Sequence, residues 1–197
     1  MATPTQSIEP RRASIWLPIL GYGFLLFAVY AVAAFLVEQY SGGCMFVIPI
    51  FFYALVILLG NLKLQRFGTG LAMLLPIAIL GVPMDYYGDW VMKQNLIGPW
   101  YALGWAPVFL AIGFAVDLGY RYAPAGWHPR WRAVATGIGF GLAFYLLVLF
   151  ALTAFYPETD QVWHLDYFQG GVYFSLPWML VNGGFAGYTA YAITQQG

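Results

Sequence analysis

The sequence predicts an all-α fold, a polytopic membrane helical bundle of six transmembrane helices with both ends in the cytoplasm (N-in/C-in). Three observations predict it. Hydrophobic residues make up 61% of the chain and charged residues only 8%, whereas a water-soluble domain carries about 25% charged residues. That is too little charge to wet a globular surface, and lipid is the natural solvent for what remains. Apolar stretches of the length that crosses hydrocarbon recur along the chain, separated by short polar breaks. Finally, the few basic residues segregate to one side once those stretches are counted as crossings.

A helix needs about 20 apolar residues to cross the bilayer core, and each stretch is read against that length. The first runs from Ser14 to Val37, after Arg11 and Arg12 and before Glu38 and Gln39. The second runs from Cys44 to Leu62 and is closed by Lys63 and Arg66. The third runs from Thr69 to about Tyr87 and contains Pro76 and Pro83. The fourth runs from Ile97 to Gly119, before Arg121. The fifth runs from Ala133 to Tyr156 and stops at Pro157. The sixth runs from Gly170 to Ile193. Residues 1–13 are expected to be a disordered cytoplasmic N-terminus, and residues 14–197 a single six-helix transmembrane domain. The run Ser41-Gly42-Gly43-Cys44 is similar to a lipoprotein cleavage box, but apolar sequence continues at once through Leu59, so the first stretch is expected to stay in the mature protein.

Orientation follows from charge. With the N-terminus inside, Arg11, Arg12, Lys63, Arg66, Arg121, Arg130 and Arg132 all fall inside and only Lys93 outside, seven against one. Cytoplasmic loops carry such an excess of Lys and Arg. An extra or missing crossing would flip every later loop and destroy the pattern, so the bias supports the span count as well. The expected location is the cell inner (plasma) membrane, with the lipid bilayer and other membrane subunits as partners. A net charge of zero argues against nucleic acid. With Cys44 the single cysteine, no internal disulfide or cysteine metal site can form.

Small residues predict helix contacts. Gly137 and Gly141 in the fifth stretch, and Gly183 and Gly187 in the sixth, are GxxxG spacings that let helices approach closely in lipid. Asp117 and Arg121, four residues apart, are expected to pair along one helix face. The segment from Tyr122 to Trp131, with Trp127, His128, Arg130 and Trp131, reads as a belt in contact with lipid headgroups.

The acidic residues gather on the other side. Glu38, Asp85, Asp89, Glu158, Asp160 and Asp166 all map outside, as does His164. Asp85 lies in Gly81-Val-Pro-Met-Asp-Tyr-Tyr-Gly-Asp-Trp90, where the third stretch meets the outer interface. Ionisable groups there usually face a bundle interior or a wet cavity. Asp85 and Asp89 share a face if the helix continues, and two carboxylates would suit a cation or a held proton. An interfacial Asp that merely caps a following helix is the simpler role. His164 and Asp166 lie in Tyr156-Pro-Glu-Thr-Asp-Gln-Val-Trp-His-Leu-Asp166, which has no metal-ligand spacing, so no metal is expected. Trp90, Trp100, Trp105 and Trp163 supply aromatic wall for a pocket. Asn182, mid-way along the sixth stretch, must find a partner, either across to a neighbouring helix or in a cavity.

Gly98-Pro-Trp-Tyr-Ala-Leu-Gly-Trp105, then Pro107-Val-Phe-Leu and Asp117-Leu-Gly-Tyr120, resembles the A subunit of copper membrane monooxygenases, loosely from Lys63 to Phe144. The resemblance implies a subunit of a membrane enzyme complex. Gly170-Gly-Val-Tyr-Phe-Ser-Leu-Pro177 with Asn182 is similar to the last part of membrane carotenoid hydratase-type proteins, but the spacing after Asn differs and no catalytic residue is carried over. No nucleotide-binding or serine-hydrolase motif is present, and no motif names a cofactor. The expected function is an acidic, aromatic-lined outer pocket for a hydrophobic or cationic small molecule, in an enzyme or in a subunit of a membrane enzyme complex. Its polar candidates are Asp85, Asp89, His164, Asp166 and Asn182. The alternatives are a substrate-binding subunit of a transporter and a non-catalytic scaffold subunit.

Overall fold

The computed structural model describes residues 15–41, 49–87, 99–124, 126–155 and 175–196, with the backbone alone described at 34, 36–41, 85–87, 99–102, 152 and 155. Every regular element among them is helical: α1 (Trp16–Ser41), α2 (Ile50–Leu64), α3 (Thr69–Pro76), a π-helical segment (Ile77–Gly81), α4 (Val82–Tyr87), α5 (Pro99–Tyr122), α6 (Pro129–Phe155) and α7 (Ser175–Gln196).

Local chemistry sets the boundaries. The turn between α2 and α3 uses two left-handed residues, Gln65 at φ 50° and Gly68 at φ 89°. Gly68 takes that conformation without Cβ strain, which reverses the chain within a few residues. At α6, Pro129 occupies the first helical position, where its missing N–H and fixed φ cost nothing. His128 precedes it, accepting the Arg130 N–H at Nδ1 (3.3 Å), while its carbonyl accepts from Trp131 and Arg132. The helix therefore starts four residues before the expected Ala133. Thr69 to Tyr87 is one continuous rod, as expected, but not one uniform helix. Around Pro76 the register tightens, with Ile77 N–H bonded to the Leu74 carbonyl, and it then widens, with Val82 N–H bonded to the Ile77 carbonyl. A proline clashes with the carbonyl four residues back and offers no donor; a π-bulge between Pro76 and Pro83 absorbs both faults without breaking the rod.

Glycines set the helix pairs. A Cβ at Gly137 or Gly183 would run into the other's backbone carbonyl, one at Gly141 would lie 2.7 Å from the Met179 carbonyl carbon, and one at Gly187 would meet the Ala133 carbonyl. α6 and α7 thus lie backbone to backbone and antiparallel along the two GxxxG stripes, as the spacing predicts. A second crossing of this kind joins α3 and α5, where a Cβ at Gly70 would lie 2.6 Å from the Gly113 carbonyl oxygen. Gly81 leaves room for the Tyr30 ring of α1, which meets Phe109 of α5 edge-on at 5.7 Å. The core runs through all of these helices, with Leu26, Ile57, Met73, Ile112, Val148 and Met179 almost wholly buried.

Large apolar side chains are exposed along the long helices. Leu17, Phe35, Ile79, Phe150, Val181 and Phe185 are each more than half exposed. A water-soluble monomer rarely shows such continuous apolar area, and helices apolar on all sides belong in lipid. Among the described residues, three helical stretches are long and apolar enough to cross a membrane: Trp16–Ala33, Leu103–Tyr122 and Pro129–Ala151. Shorter apolar helices span Ile50–Leu64 and Thr69–Met84. α7 has the length, but Asn182, Thr189, Thr194 and its terminal glutamines dilute its apolarity.

Candidate functional site

The antiparallel order sorts the bundle into two ends. Arg121 on α5 stands over the Phe67 ring of the α2–α3 turn (5.3 Å), and His128 meets Tyr191 of α7 (6.1 Å). The α2–α3 turn, the α5–α6 turn and the last turns of α7 therefore share one end. α1 runs beside α3 in the same direction, through Gly23 at Met73 and Pro76 and Tyr30 at Gly81, so it starts at that end too. The end of α4 and the start of α5, with the end of α6 and the start of α7, share the other.

The sequence-predicted site residues divide accordingly. Asp85 lies in the last turn of α4 and Trp100 in the first turn of α5, so backbone order carries both to the second end. Asp89, Trp90, Trp163, His164 and Asp166 lie outside the described residues. Trp105 is only 4% exposed and belongs to the core, its ring 6.0 Å from Phe109. Among the described residues, Asn182 has a hydrogen-bond partner on its own helix and is not in the wall of the cavity between the helices. Half-buried, it donates through Nδ2 to the Trp178 carbonyl of its own helix at 2.9 Å. A side-chain amide within reach of the carbonyl one turn back has a partner at no cost in helix geometry, so the expected interhelical bond is not needed.

A cavity of about 20 Å³ lies between α1, α2, the α3 rod, α5 and α6, walled by Tyr30, Tyr53, Ile77, Phe109 and Phe144 among others. That is room for about one water, but water also needs polar partners, and the exposed lining is apolar. Among the described residues, no group of three or more His, Cys, Asp or Glu is placed to hold a metal ion.

The best-formed polar arrangement lies at the first end, on a residue read differently from sequence. Asp117 is 2% exposed. Its Oδ1 accepts the Gly70 N–H at 2.8 Å and its Oδ2 accepts the Leu71 N–H at 3.2 Å. These are first-turn amides of α3, which no residue of its own helix can satisfy. α3 has no acid in its first turn, and Gly68 at its cap offers no side chain. A carboxylate from α5 supplies what the local sequence lacks, and its charge faces the positive end of the helix dipole. The Gly70–Gly113 crossing makes this possible, since a Cβ on Gly70 would lie 3.0 Å from Asp117 Oδ1 and 3.2 Å from Asn61 Nδ2. Asn61, also buried, donates to the Ile57 carbonyl at 3.2 Å. The expected Asp117–Arg121 pairing is thereby corrected: two aligned backbone donors in an apolar interior outcompete an exposed guanidinium, which turns to Phe67 instead. The signal in the sequence was an acid well inside an apolar stretch, together with a helix start lacking a cap of its own.

Around this buried carboxylate the end carries a basic and aromatic rim. Lys63, Arg66, Arg121 and Arg130 are exposed, as are Phe67, Tyr122, Trp127 and Trp131. Arg130 stands over the Trp131 ring at 4.8 Å and Arg132 over the Tyr120 ring at 5.5 Å, with Arg132 also donating to the Tyr120 carbonyl at 3.3 Å.

Comparison with known proteins matches this chain to no family model, no curated protein and no solved structure. The two likenesses drawn from the sequence therefore transfer no residue roles, and what identifies the chain is its physical character, that of a helical membrane protein.

Proposed function

We propose that the chain is a six-span protein of the cell inner membrane, N-in and C-in. Its working site is at the outer end, where it takes a hydrophobic or cationic small molecule as an enzyme or as a subunit of a membrane enzyme complex. The single observation that carries this reading is the sorting of the helix ends. The order of the helices directs Asp85 on α4 and Trp100 on α5 to the end opposite the basic turns. The small size of the cavity between the helices, with room for about one water, supports a site at an end. An ionisable residue at the membrane interface is expensive unless it is paired, wet or in use. Asp85, Asp89, His164 and Asp166 provide the polar contacts of this reading, and Trp90 and Trp163 its apolar walls.

The test is Asp85→Asn in the full chain, purified with its native lipids and any co-purifying small molecules identified by mass spectrometry. The expected result is normal insertion with loss of the co-purifying molecule. Retention of the same molecule at the same stoichiometry would remove Asp85 from the site. A second reading, a non-catalytic scaffold subunit, is favoured by the cavity between the helices, which is too small for a substrate. It predicts that Asp85→Asn is silent, since Asn caps a helix nearly as well as Asp.

A further inference from the structure

We propose that the end formed by the α2–α3 and α5–α6 turns is a binding site for the phosphate of an anionic glycerophospholipid, with Arg121 and Arg130 as its principal contacts and Lys63 and Arg66 beside them. The inference rests only on the chain's residence in a membrane and is independent of the outer site.

Five of the eight Lys and Arg residues lie here: Lys63, Arg66, Arg121, Arg130 and Arg132. The one acid whose side chain is described, Asp117, is buried and engaged by the amides of Gly70 and Leu71. The rim's charge thus meets no exposed carboxylate among the described residues. Charge alone would serve orientation during insertion, but the geometry goes further. Arg121 and Arg130, both exposed, each lie over an aromatic ring, which restrains the guanidinium on the solvent side where an oxyanion can reach it. Guanidinium and phosphate match as a planar fork to two oxygens. The exposed aromatics decide the source of the phosphate. Phe67, Trp127 and Trp131 are about half exposed at the level of the cations. Free phosphate would leave those rings in water, whereas a lipid places its acyl and glycerol region against them, the usual position of interfacial Trp. Each cation near an anionic membrane surface contributes at most roughly a fivefold preference at low salt, so removing the two principal contacts should abolish most of a several-fold preference.

The test uses the full chain reconstituted in phosphatidylcholine vesicles and spin-labelled lipids, read as the association constant of phosphatidylglycerol relative to phosphatidylcholine. The wild type is expected to prefer phosphatidylglycerol at least several-fold. Arg121→Gln/Arg130→Gln should bring the ratio close to one, and Arg121→Lys/Arg130→Lys should keep an intermediate value. Inorganic phosphate should displace the lipid no better than chloride at equal ionic strength. Should the double Gln variant fail to reconstitute with native helix content, Lys63→Gln/Arg66→Gln, on the other turn, is expected to lower the same ratio. No preference in the wild type, an unchanged ratio in the neutralised variants, or displacement by inorganic phosphate beyond the ionic-strength effect would each overturn the proposal.

Discussion

Replacing Asp117 with Ala removes the acceptor of two helix-start amides in a site that water does not reach. Its carboxylate accepts from Gly70 at 2.8 Å and from Leu71 at 3.2 Å, and the residue is 2% exposed. Each buried donor left without a partner costs about 1–3 kcal/mol, and the charge–dipole contribution at a helix N-terminus is lost with them. The expected destabilisation is about 3 kcal/mol, in the lower half of the roughly 2–6 kcal/mol for two donors because some relaxation is allowed. For a chain of this length 1 kcal/mol corresponds to roughly 2–4 °C, so the apparent melting temperature should fall by roughly 6–12 °C. Asp117→Asn should fall part-way, because its single carbonyl oxygen can accept from one amide while its NH₂ group faces the other. Arg121→Gln should fall by far less, since an exposed cation–π contact is worth about 0.5 kcal/mol. The assay is fluorescence-detected melting in one detergent at one scan rate, because unfolding of such a protein is generally irreversible and the midpoint is then a kinetic quantity. Equal losses for Asp117→Asn and Arg121→Gln would restore the ion-pair reading and refute the role assigned to the helix start. So would an Asp117→Ala variant that melts with the wild type.

Two further outcomes follow from the geometry. Gly141→Leu or Gly187→Leu drives a branched side chain into the Met179 or Ala133 backbone, so each should lower detergent stability by more than about 2 kcal/mol, at the upper range of overpacking effects; unchanged melting in both would contradict the α6–α7 crossing. On the proposed outer site, Asp89→Asn should weaken retention of a co-purifying molecule less than Asp85→Asn, because the sequence puts Asp89 further beyond the apolar stretch, where screening by water is stronger; the reverse order, measured by mass spectrometry of the purified variants, would exchange their roles.

What sequence could and could not reveal follows from the range of the interactions involved. Hydrophobic stretches and their breaks are local, so the described helices fall within the expected apolar stretches or a turn beyond them, while the expected ends at Cys44, Ile97, Tyr156 and Gly170 lie outside the described residues. The differences are terminal turns, such as Pro129 to Arg132, where a proline preorganises a start ahead of the apolar run. The α6–α7 contact was legible because both halves of it repeat within one helix as GxxxG. The α3–α5 contact was not, since Gly70 and Gly113 are single glycines on separate helices and only the folded chain pairs them. Asp117 was misread for a related reason: the i, i+4 rule sees only its own helix, whereas its partners are backbone amides 46 and 47 positions away. For Asn182 the sequence left a neighbouring helix or a cavity open, and the fold adds a partner one turn back on its own helix. For the outer candidates, the helix order adds direction to Asp85 and Trp100, while Trp105 is part of the core.

The central claim is a six-span chain with its basic turns inside and its acidic segments outside. Cysteine labelling at one position tests it most directly, using His164→Cys in a Cys44→Ser background and a membrane-impermeant maleimide on intact cells. The account predicts labelling at position 164 without permeabilisation, and none at a cysteine placed at Trp127 in the same background until the membrane is opened. Labelling at 164 only after permeabilisation, with 127 reacting in intact cells, would contradict it.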